Sequence, residues 1–412
     1  MSAPNQERYL PWALLGGIGW FFVFADRAVL SPLLHIFGLQ FHVGPGELGL
    51  ISSAFFLTYT FVQIPVGHLA DRVSPRTLLG VGYVGFGLFI ALTGAASSYP
   101  ALLVLSALAG AFQGVYYPTQ FAVTARRIPP SALSAANAVI TSGMGAGIAG
   151  GYLIASTLAP SDWRLPVVLL GLLTVGVGLW LYRVTPQDVQ RPLAQAVTLP
   201  AVAPSARRFA LLLAINFCSL YPFFFMLAWL PYYLGLHQGL HQGLQGVGLG
   251  VAASLPTLVA IPATILWNRR PAAARLGRMR WLLATAALSL LAMGAAGGTW
   301  AFLIALVVYG ASGKLVLDPM ILSEVALSLR GEQYGKAYGT MNFVGMLASV
   351  AAPALGGILV QHFGGFSDAF LVAALVLFIA LALSLWLNSG AEVGPAPRTK
   401  TPTVAAEGGA QR

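Results

Sequence analysis

The sequence predicts an all-α membrane protein of twelve transmembrane helices arranged as two six-helix halves. Three observations support this fold class. The chain is 57% hydrophobic and only 8% charged, long apolar runs recur from end to end, and one polar segment divides them six and six. A water-facing globular surface needs about a quarter of its residues charged. Most of the outer surface is therefore expected to face the lipid bilayer.

The composition also excludes several functional classes. A net charge of +10 would suit a nucleic-acid ligand, but no polar domain combines a basic stripe with stacking aromatic residues. Cys218 is the single cysteine, which leaves neither a disulfide framework nor a thiolate metal site. Zinc-protease and phosphate-loop motifs are absent from the sequence, and no acid–base cluster marks an enzyme. We expect no enzyme activity, no nucleic-acid partner, no metal and no cofactor.

Twelve apolar runs have about the 20 residues that a helix needs to cross a bilayer. They lie at 11–34, 47–68, 78–96, 101–124, 132–157, 164–184, 208–235, 246–267, 281–297, 300–324, 336–361 and 367–388. The ninth run is short, and only Gly297, Gly298 and Thr299 separate it from the tenth. In the fifth, GAGIAG at 145–150 lacks a preceding strand, so its small residues indicate close helix packing rather than dinucleotide binding.

The positions of the basic residues give the orientation. Of the 22 Lys and Arg residues, 19 fall in the N-terminus, in every second connection or in the C-terminal tail. Basic residues concentrate on the cytoplasmic side of membrane proteins. We therefore expect a multi-pass protein of the cell (inner) membrane with both termini in the cytoplasm. The first run contains an Asp-Arg pair and follows no cationic region, which predicts a retained helix rather than a signal peptide.

The predicted domains are an N-terminal half at 1–184, a Pro- and Ala-containing linker at 185–207, a C-terminal half at 208–388 and a disordered cytoplasmic tail at 389–412. The halves share a pattern: GIAGGYLI at 147–154 corresponds to PALGGILV at 353–360, an offset of 206 residues. The same offset aligns Ser161-Asp162 with Ser367-Asp368. Internal repeats of this kind are common in secondary transporters.

The connection between the second and third runs, GHLADRVSPRTLLG at 67–80, resembles the signature loop of the major facilitator superfamily. Six residues match the pattern G-x-L-A-D-R-x-G-R-R: Gly67, Leu69, Ala70, Asp71, Arg72 and Arg76. The resemblance implies the major facilitator fold and a cytoplasmic gate formed by Gly67, Asp71, Arg72 and Arg76, in which the Asp pairs with basic groups and a helix end. The alternative is a positive-inside anchor with an incidental Asp.

A narrower resemblance involves ADRAVLSP at 25–32, QIPVGHLADR at 63–72 and DWR at 162–164, which are similar to the anion:cation symporter family. Its members take up organic acids, such as sugar acids, together with protons. That family usually carries a Glu five residues before a Pro in helix four. Here, in GAFQGVYYP at 110–118, the position is Gln113, which departs from the family's coupling scheme.

Two sets of charges lie inside predicted helices, where ionisable residues usually face a cavity or a partner. Asp26 and Arg27 lie about 22 Å into the first helix and point about 100° apart. We expect Arg27 to bind a substrate carboxylate and Asp26 to carry a proton; a structural pair tying the helix to a neighbour is the alternative. In YGASGKLVLDPMILSE at 309–324, Lys314 could be a second anion ligand, or form a neutral i, i+4 pair with Asp318.

Asp318 and Glu324 are further candidates for proton coupling, and Pro319 is expected to break the hydrogen-bond ladder of the tenth helix. By family analogy, polar and aromatic residues of four helices are candidates for the walls of a substrate cavity: Gln113, Tyr116, Tyr117, Gln120, Asn216, Tyr221 and Tyr309. Asn342 in the eleventh helix is a similar candidate. Packing roles or interfacial belts are the alternative for the aromatic residues.

Together these features predict a monomeric secondary transporter that works by alternating access and takes up a small organic anion, a carboxylate or sugar acid, with protons. Uptake is favoured because the fourth run lacks the Arg, and the fifth the Gly-Pro pair, that drug–proton antiporters of the superfamily carry. The alternative is a proton-driven exporter of amphipathic or cationic compounds, with Asp26 and Asp318 as the cation-attracting charges.

Overall fold

The computed structural model describes residues 10–69, 73–117, 119–120, 133–185, 187, 206–238, 244–268, 274–327 and 334–387, and every regular element in these ranges is helical. The helices form twelve rods, numbered span 1 to span 12. Span 1 joins Leu10–Val29, the 3-10 turn Ser31–Leu33 and Leu34–Phe41. Spans 2 to 6 are Pro45–Leu69, Pro75–Thr93, Tyr99–Gln113, Leu133–Leu158 and Arg164–Val184. Spans 7 to 9 are Ala206–Gln238, Leu244–Asn268 and Arg275–Gly294. Span 10 joins Thr299–Ser312 and Lys314–Leu327, and spans 11 and 12 are Tyr334–Phe363 and Phe366–Leu385.

The all-α prediction is confirmed, and the twelve rods agree with the predicted twelve helices. Within the described ranges, ten helical segments are long and apolar enough to cross a membrane. The fourth rod is a shorter apolar helix, because the chain turns at Gly114 and Val115. Large apolar side chains remain exposed along the rods, as lipid-facing surfaces require. The predicted linker and tail lie almost wholly outside the described residues, so the domain boundaries stay predictions.

Span 10 is interrupted at Gly313, where ψ is −162°. Pro319 lies inside the following helix, Lys314–Leu327. Proline removes the hydrogen bond that its N–H would donate to the carbonyl four residues earlier, here that of Leu315. The hydroxyl of Thr264 in span 8 lies 2.7 Å from the carbonyl oxygen of Ala260 and 3.3 Å from that of Leu315, so its one proton is shared between them. The helix continues through the proline although its hydrogen-bond ladder is broken there.

A stripe of glycines holds span 1 against span 5. A Cβ added at Gly143 would lie 2.1 Å from the carbonyl oxygen of Gly17, and one at Gly147 would lie 2.2 Å from that of Phe21. At Gly151 the corresponding distance to the oxygen of Ala25 is 2.4 Å. Small residues at four-residue spacing let membrane helices pack backbone to backbone. This contact fixes the rotation of span 1 next to Asp26 and Arg27.

The two sets of six spans meet closely on the side where spans 1 and 2 join, which we call the far side; the opposite face is the linker side. Pro231 in span 7 frees the carbonyl of Leu227, and the hydroxyl of Tyr152 donates to it at 2.9 Å. The hydroxyl of Ser31 is shared between this carbonyl, at 2.9 Å, and that of Ala228. Between spans 2 and 11, Ser53 donates to the carbonyl of Val350 at 2.7 Å. Each of these bonds connects one half of the sequence to the other.

Candidate functional site

The guanidinium of Arg27 is enclosed by aromatic rings. Its central carbon lies 4.6 Å from the ring centroid of Tyr59 and 4.8 Å from that of Phe24, and the rings of Phe55 and Phe56 lie at 5.9 and 5.3 Å. Ring faces attract a cation but do not neutralise it. Arg27 is therefore a partly buried positive charge in an aromatic cage.

The hydrogen-bond partner of this cation is neutral. Arg27 Nε donates to Gln113 Oε1 at 2.8 Å, and Nη2 donates to the same oxygen. The Gln113 amide is itself oriented by donating to the carbonyl of Val23 at 3.2 Å. Within the described residues, no carboxylate lies in ion-pair distance of Arg27. The guanidinium has five N–H groups, and no carboxylate of the described residues neutralises its charge.

The carboxyl group of Asp26 faces another neighbour. The hydroxyl of Thr174 in span 6 donates to Asp26 Oδ2 at 2.6 Å, while Oδ1 has no hydrogen-bond partner in the described part of the chain. Asp26 is fully buried. An isolated ionised carboxylate is costly to bury, and protonation removes that cost. The site thus combines a lasting positive charge with a carboxyl group that can carry a proton.

A second cation lies in span 10, directly after the break at Gly313. Lys314 is 7% exposed, and its ammonium donates to Asn216 Oδ1 at 3.1 Å and to Asp318 Oδ1. The Asn216 amide in turn donates to the carbonyl of Met341 at 3.1 Å. The Asp318 side chain is 41% exposed, so the ion pair joins a buried ammonium to an exposed carboxylate.

Lys314 also lines a small cavity between spans 5, 7, 8 and 10. The wall is mainly apolar and includes Ile148, Phe223, Met226 and Leu230. Tyr309 lines it as well, and its buried hydroxyl has no hydrogen-bond partner among the described residues. The cavity therefore offers an apolar surface with two donor groups.

Tyr117 interacts with a neighbour of each cation. It interacts electrostatically with Tyr59, which covers Arg27, and with Asp318, which pairs with Lys314. The N-terminal and C-terminal cations therefore belong to one polar region between the halves. Of the residues proposed from the sequence, this region brings together Asp26, Arg27, Gln113, Tyr117, Asn216, Tyr309, Lys314 and Asp318.

Other predicted residues contact different parts of the structure. The Tyr116 hydroxyl donates to the carbonyl of Gly16 at 3.1 Å, and Gln120 packs beside the same glycine. Asn342 donates to Gln63 Oε1 at 2.6 Å across the halves. Tyr221 is buried, 3% exposed. These four residues stay predictions as substrate ligands, and the first two pack against span 1.

Glu324 forms a separate ion cluster near the linker side. Its two carboxylate oxygens accept from Arg208 Nη2 at 2.6 Å and from Arg275 Nε at 2.7 Å. The geometry gives Glu324 a clear structural role, connecting spans 7, 9 and 10, while its role in proton coupling stays a prediction.

The predicted gate is described only in part. Asp71 and Arg72 lie outside the described residues, and Gly67 lies near the end of span 2. Arg76 lies in the first turn of span 3, with its guanidinium carbon 4.3 Å from the ring centroid of Tyr182. This contact joins spans 3 and 6, and the gate itself stays a prediction.

Sequence reasoning missed the side chains that surround the charges. Phe55, Phe56 and Tyr59 occupy i, i+1 and i+4 of span 2, a spacing equally suited to packing or to lipid contact, so the sequence did not single them out. Thr174 carries no signal in an apolar run. Their proximity to Asp26 and Arg27 depends on how spans 2 and 6 pack against span 1.

Comparisons with known proteins agree with this architecture. The sequence profile of the Major Facilitator Superfamily matches residues 17–269 and 240–411. The probable sulfoacetate transporter of Cupriavidus necator is 26% identical over 400 residues, covering 90% of this chain and 91% of that protein. The voltage-gated purine nucleotide uniporter of Mus musculus is 24% identical over 428 residues, covering 96% of this chain and 92% of the relative.

Among solved structures, a bacterial homologue of the human lysosomal transporter Spinster superposes with a TM-score of 0.70 at 15% sequence identity. The match covers 93% of this chain and 97% of that one. At this identity the likeness concerns the fold alone. It supports the same twelve-span arrangement that the helices of this chain adopt.

Proposed function

This chain belongs to the major facilitator superfamily, and we propose that it is a secondary active transporter that takes up small organic anions together with protons. As a multi-pass membrane transporter it acts on a small molecule and resembles transporters rather than enzymes. The proposal adds the charge of the substrate, the coupling ion and the direction. It also includes the cell (inner) membrane and cytoplasmic termini, which the distribution of basic residues favours, and a monomeric state.

The observation that carries the proposal is the uncompensated charge of Arg27. Placing a cation inside a membrane protein has a free-energy cost on the order of several kcal/mol unless a partner neutralises it. Here the hydrogen-bond partner of Arg27 is the neutral Gln113. A substrate carboxylate or sulfonate would pair with the guanidinium through two parallel N–H donors. Two relatives are also named for anionic substrates: one is a probable sulfoacetate transporter and the other a purine nucleotide uniporter.

Two carboxyl groups support coupling to protons. Asp318 holds the Lys314 ammonium, so protonation of Asp318 would release this cation for an anion. Asp26, fully buried with Thr174 as its donor, would gain or lose its proton as the site opens to either side. In both cases proton and anion favour each other's binding, which is the thermodynamic requirement of symport.

Alternating access would use the contacts on the far side. The bonds from Ser31 and Tyr152 to the carbonyl of Leu227, and from Ser53 to that of Val350, join the halves where spans 1 and 2 meet. Opening the far side would break these bonds, and new contacts at the linker side, including those predicted for Asp71 and Arg72, would replace them. Such rigid-body rocking of two halves is typical of transporters with repeated halves.

Export of a cationic compound is a weaker candidate on electrostatic grounds. A cation entering the region between the halves would meet Arg27, which has no carboxylate partner in the described ranges. Asp26 and Asp318 would have to outweigh it. The like-charge repulsion at short distance in a desolvated site favours an anion instead.

The experiment is transport by the purified protein in liposomes. We expect an inwardly directed proton gradient to drive accumulation of a radiolabelled organic anion, with gluconate, benzoate and sulfoacetate as the first substrates. An empty-liposome control measures passive entry. Accumulation of an organic cation against its gradient, with no movement of any of these anions, would show that the exporter hypothesis is correct.

A further inference from the structure

The cavity beside Lys314 has a chemistry of its own that narrows the substrate class. We propose that it is a subsite for the apolar body and for a second oxygen acceptor of the transported anion. The substrate would then be an organic acid with a compact apolar body and a second carboxylate, sulfonate or similar group, rather than a polyhydroxylated sugar acid. This inference rests on the proposed function, in which Arg27 holds the first acidic group.

The first argument is the Tyr309 hydroxyl. Tyr309 is 4% exposed, lines the cavity and has a buried hydroxyl without a hydrogen-bond partner among the described residues. Leaving a buried hydroxyl unpaired costs roughly 1–3 kcal/mol. The Tyr309 ring packs closely against Gly313, which has no side chain: a Cβ at Gly313 would lie 3.2 Å from Tyr309 Cζ. An acceptor oxygen of a bound substrate would accept a hydrogen bond from this hydroxyl.

The second argument is the hydrogen bonding of Lys314. An ammonium has three donors, and in the structure two acceptors are assigned to it, Asn216 Oδ1 and Asp318 Oδ1. Lys314 lines the cavity, whereas Asp318 is not among the residues of its wall. The remaining N–H can therefore serve the cavity, next to the Tyr309 hydroxyl. Together they would bind one anionic or strongly polar group.

The third argument is that the rest of the cavity wall has few polar side chains. Besides Lys314 and Tyr309, the polar side chains of the wall are Thr257 and Tyr152, and the Tyr152 hydroxyl already donates to the carbonyl of Leu227. A sugar acid would bury several hydroxyl groups against apolar side chains without hydrogen-bond partners. An aromatic or branched apolar body loses no hydrogen bonds there.

The test compares organic acids that differ in body and in acid spacing. Binding of benzoate, phthalate, isophthalate, terephthalate and gluconate to the purified full-length protein is measured by titration calorimetry. We expect benzoate to bind at least about tenfold more tightly than gluconate. One of the three dicarboxylates should bind about tenfold more tightly again, since a tenfold step corresponds to one additional good contact.

Three variants test whether these gains in affinity depend on the cavity. Tyr309→Phe keeps the ring and removes the donor, so it should reduce the advantage of that dicarboxylate over benzoate about threefold to tenfold. Lys314→Met combined with Asp318→Asn removes the cation without leaving a lone carboxylate, and should abolish the advantage. Tyr99→Phe is the matched control, because the Tyr99 hydroxyl donates to the carbonyl of Glu47, away from the cavity, at 2.9 Å.

The outcomes separate this inference from the proposed function. If gluconate binds as tightly as benzoate and the dicarboxylates gain nothing, the cavity inference is wrong, even where Arg27-dependent transport of anions stands. If the dicarboxylate advantage persists in Tyr309→Phe and in the double variant, the subsite lies elsewhere. If no anion is transported in liposomes, the proposed function itself fails.

Discussion

Replacing Arg27 by Met gives the sharpest test of the anion site. Methionine keeps much of the length and apolar contact of the side chain but removes the charge and all five donors. The four surrounding rings, from Tyr59 at 4.6 Å to Phe55 at 5.9 Å, can still pack against it. A substrate carboxylate, in contrast, loses its partner. We expect binding of organic anions to be lost while the protein remains folded.

The magnitude follows from the environment of the guanidinium. Its hydrogen-bond partner is neutral and its neighbours are aromatic, so a substrate acid would form a desolvated charge pair. Truncating one partner of such a pair costs about 2–5 kcal/mol, which corresponds to a weakening of roughly 30-fold to several thousandfold. Arg27→Lys keeps the charge but not the planar fork, and should weaken binding by an intermediate factor.

The assay is titration of benzoate into detergent-purified protein, followed by uptake in liposomes. Arg164→Met is the matched control, because Arg164 is 44% exposed and its partner Asp162 lies 3.8 Å away at the surface. Thermal unfolding without ligand shows whether each variant is folded. An unchanged dissociation constant in folded Arg27→Met would refute the reasoning, and a large loss of stability without ligand would favour the structural alternative.

Three further predictions concern coupling, closure and stability. Asp26→Asn should retain anion exchange between liposome and medium but lose accumulation driven by a proton gradient; accumulation at the wild-type level would remove Asp26 from coupling. Ser31→Ala combined with Tyr152→Phe leaves the Leu227 carbonyl without donors at a cost of about 1–3 kcal/mol, so spin-label distances across the far side should lengthen. No change would show that other contacts close it. Glu324→Gln breaks two short ion pairs and should lower the free energy of unfolding by about 2–3 kcal/mol. This is less than the about 3–5 kcal/mol of fully buried pairs, because both arginines are partly exposed. Loss of proton coupling with unchanged stability would instead make Glu324 a proton carrier.

The sequence predicted the helical architecture well because membrane insertion acts on local composition. A run of about 20 apolar residues must become a helix in lipid, whatever its neighbours are. The sequence did not locate the interruption of span 10. The helix continues through Pro319, where a break in the hydrogen-bond ladder was expected, and is interrupted at Gly313.

The candidate site was predictable in its charges and not in their surroundings. Asp26, Arg27 and Lys314 stand out because a charge in an apolar helix is rare and costly. The sequence left open whether Asp26 and Arg27 have separate partners. In the structure Asp26 accepts from Thr174 and Arg27 donates to Gln113, two contacts with residues far away in the chain.

The sequence by itself thus determined the number of spans, their division into halves and the identity of the buried charges, because each follows from the transfer of local segments into lipid. Only the tertiary structure decided which charges stay uncompensated. Compensation depends on contacts between spans separated by tens to hundreds of residues, such as the aromatic cage of Arg27 and the pairing of Glu324 with Arg208. Apolar runs of similar composition contain no local signal for those contacts.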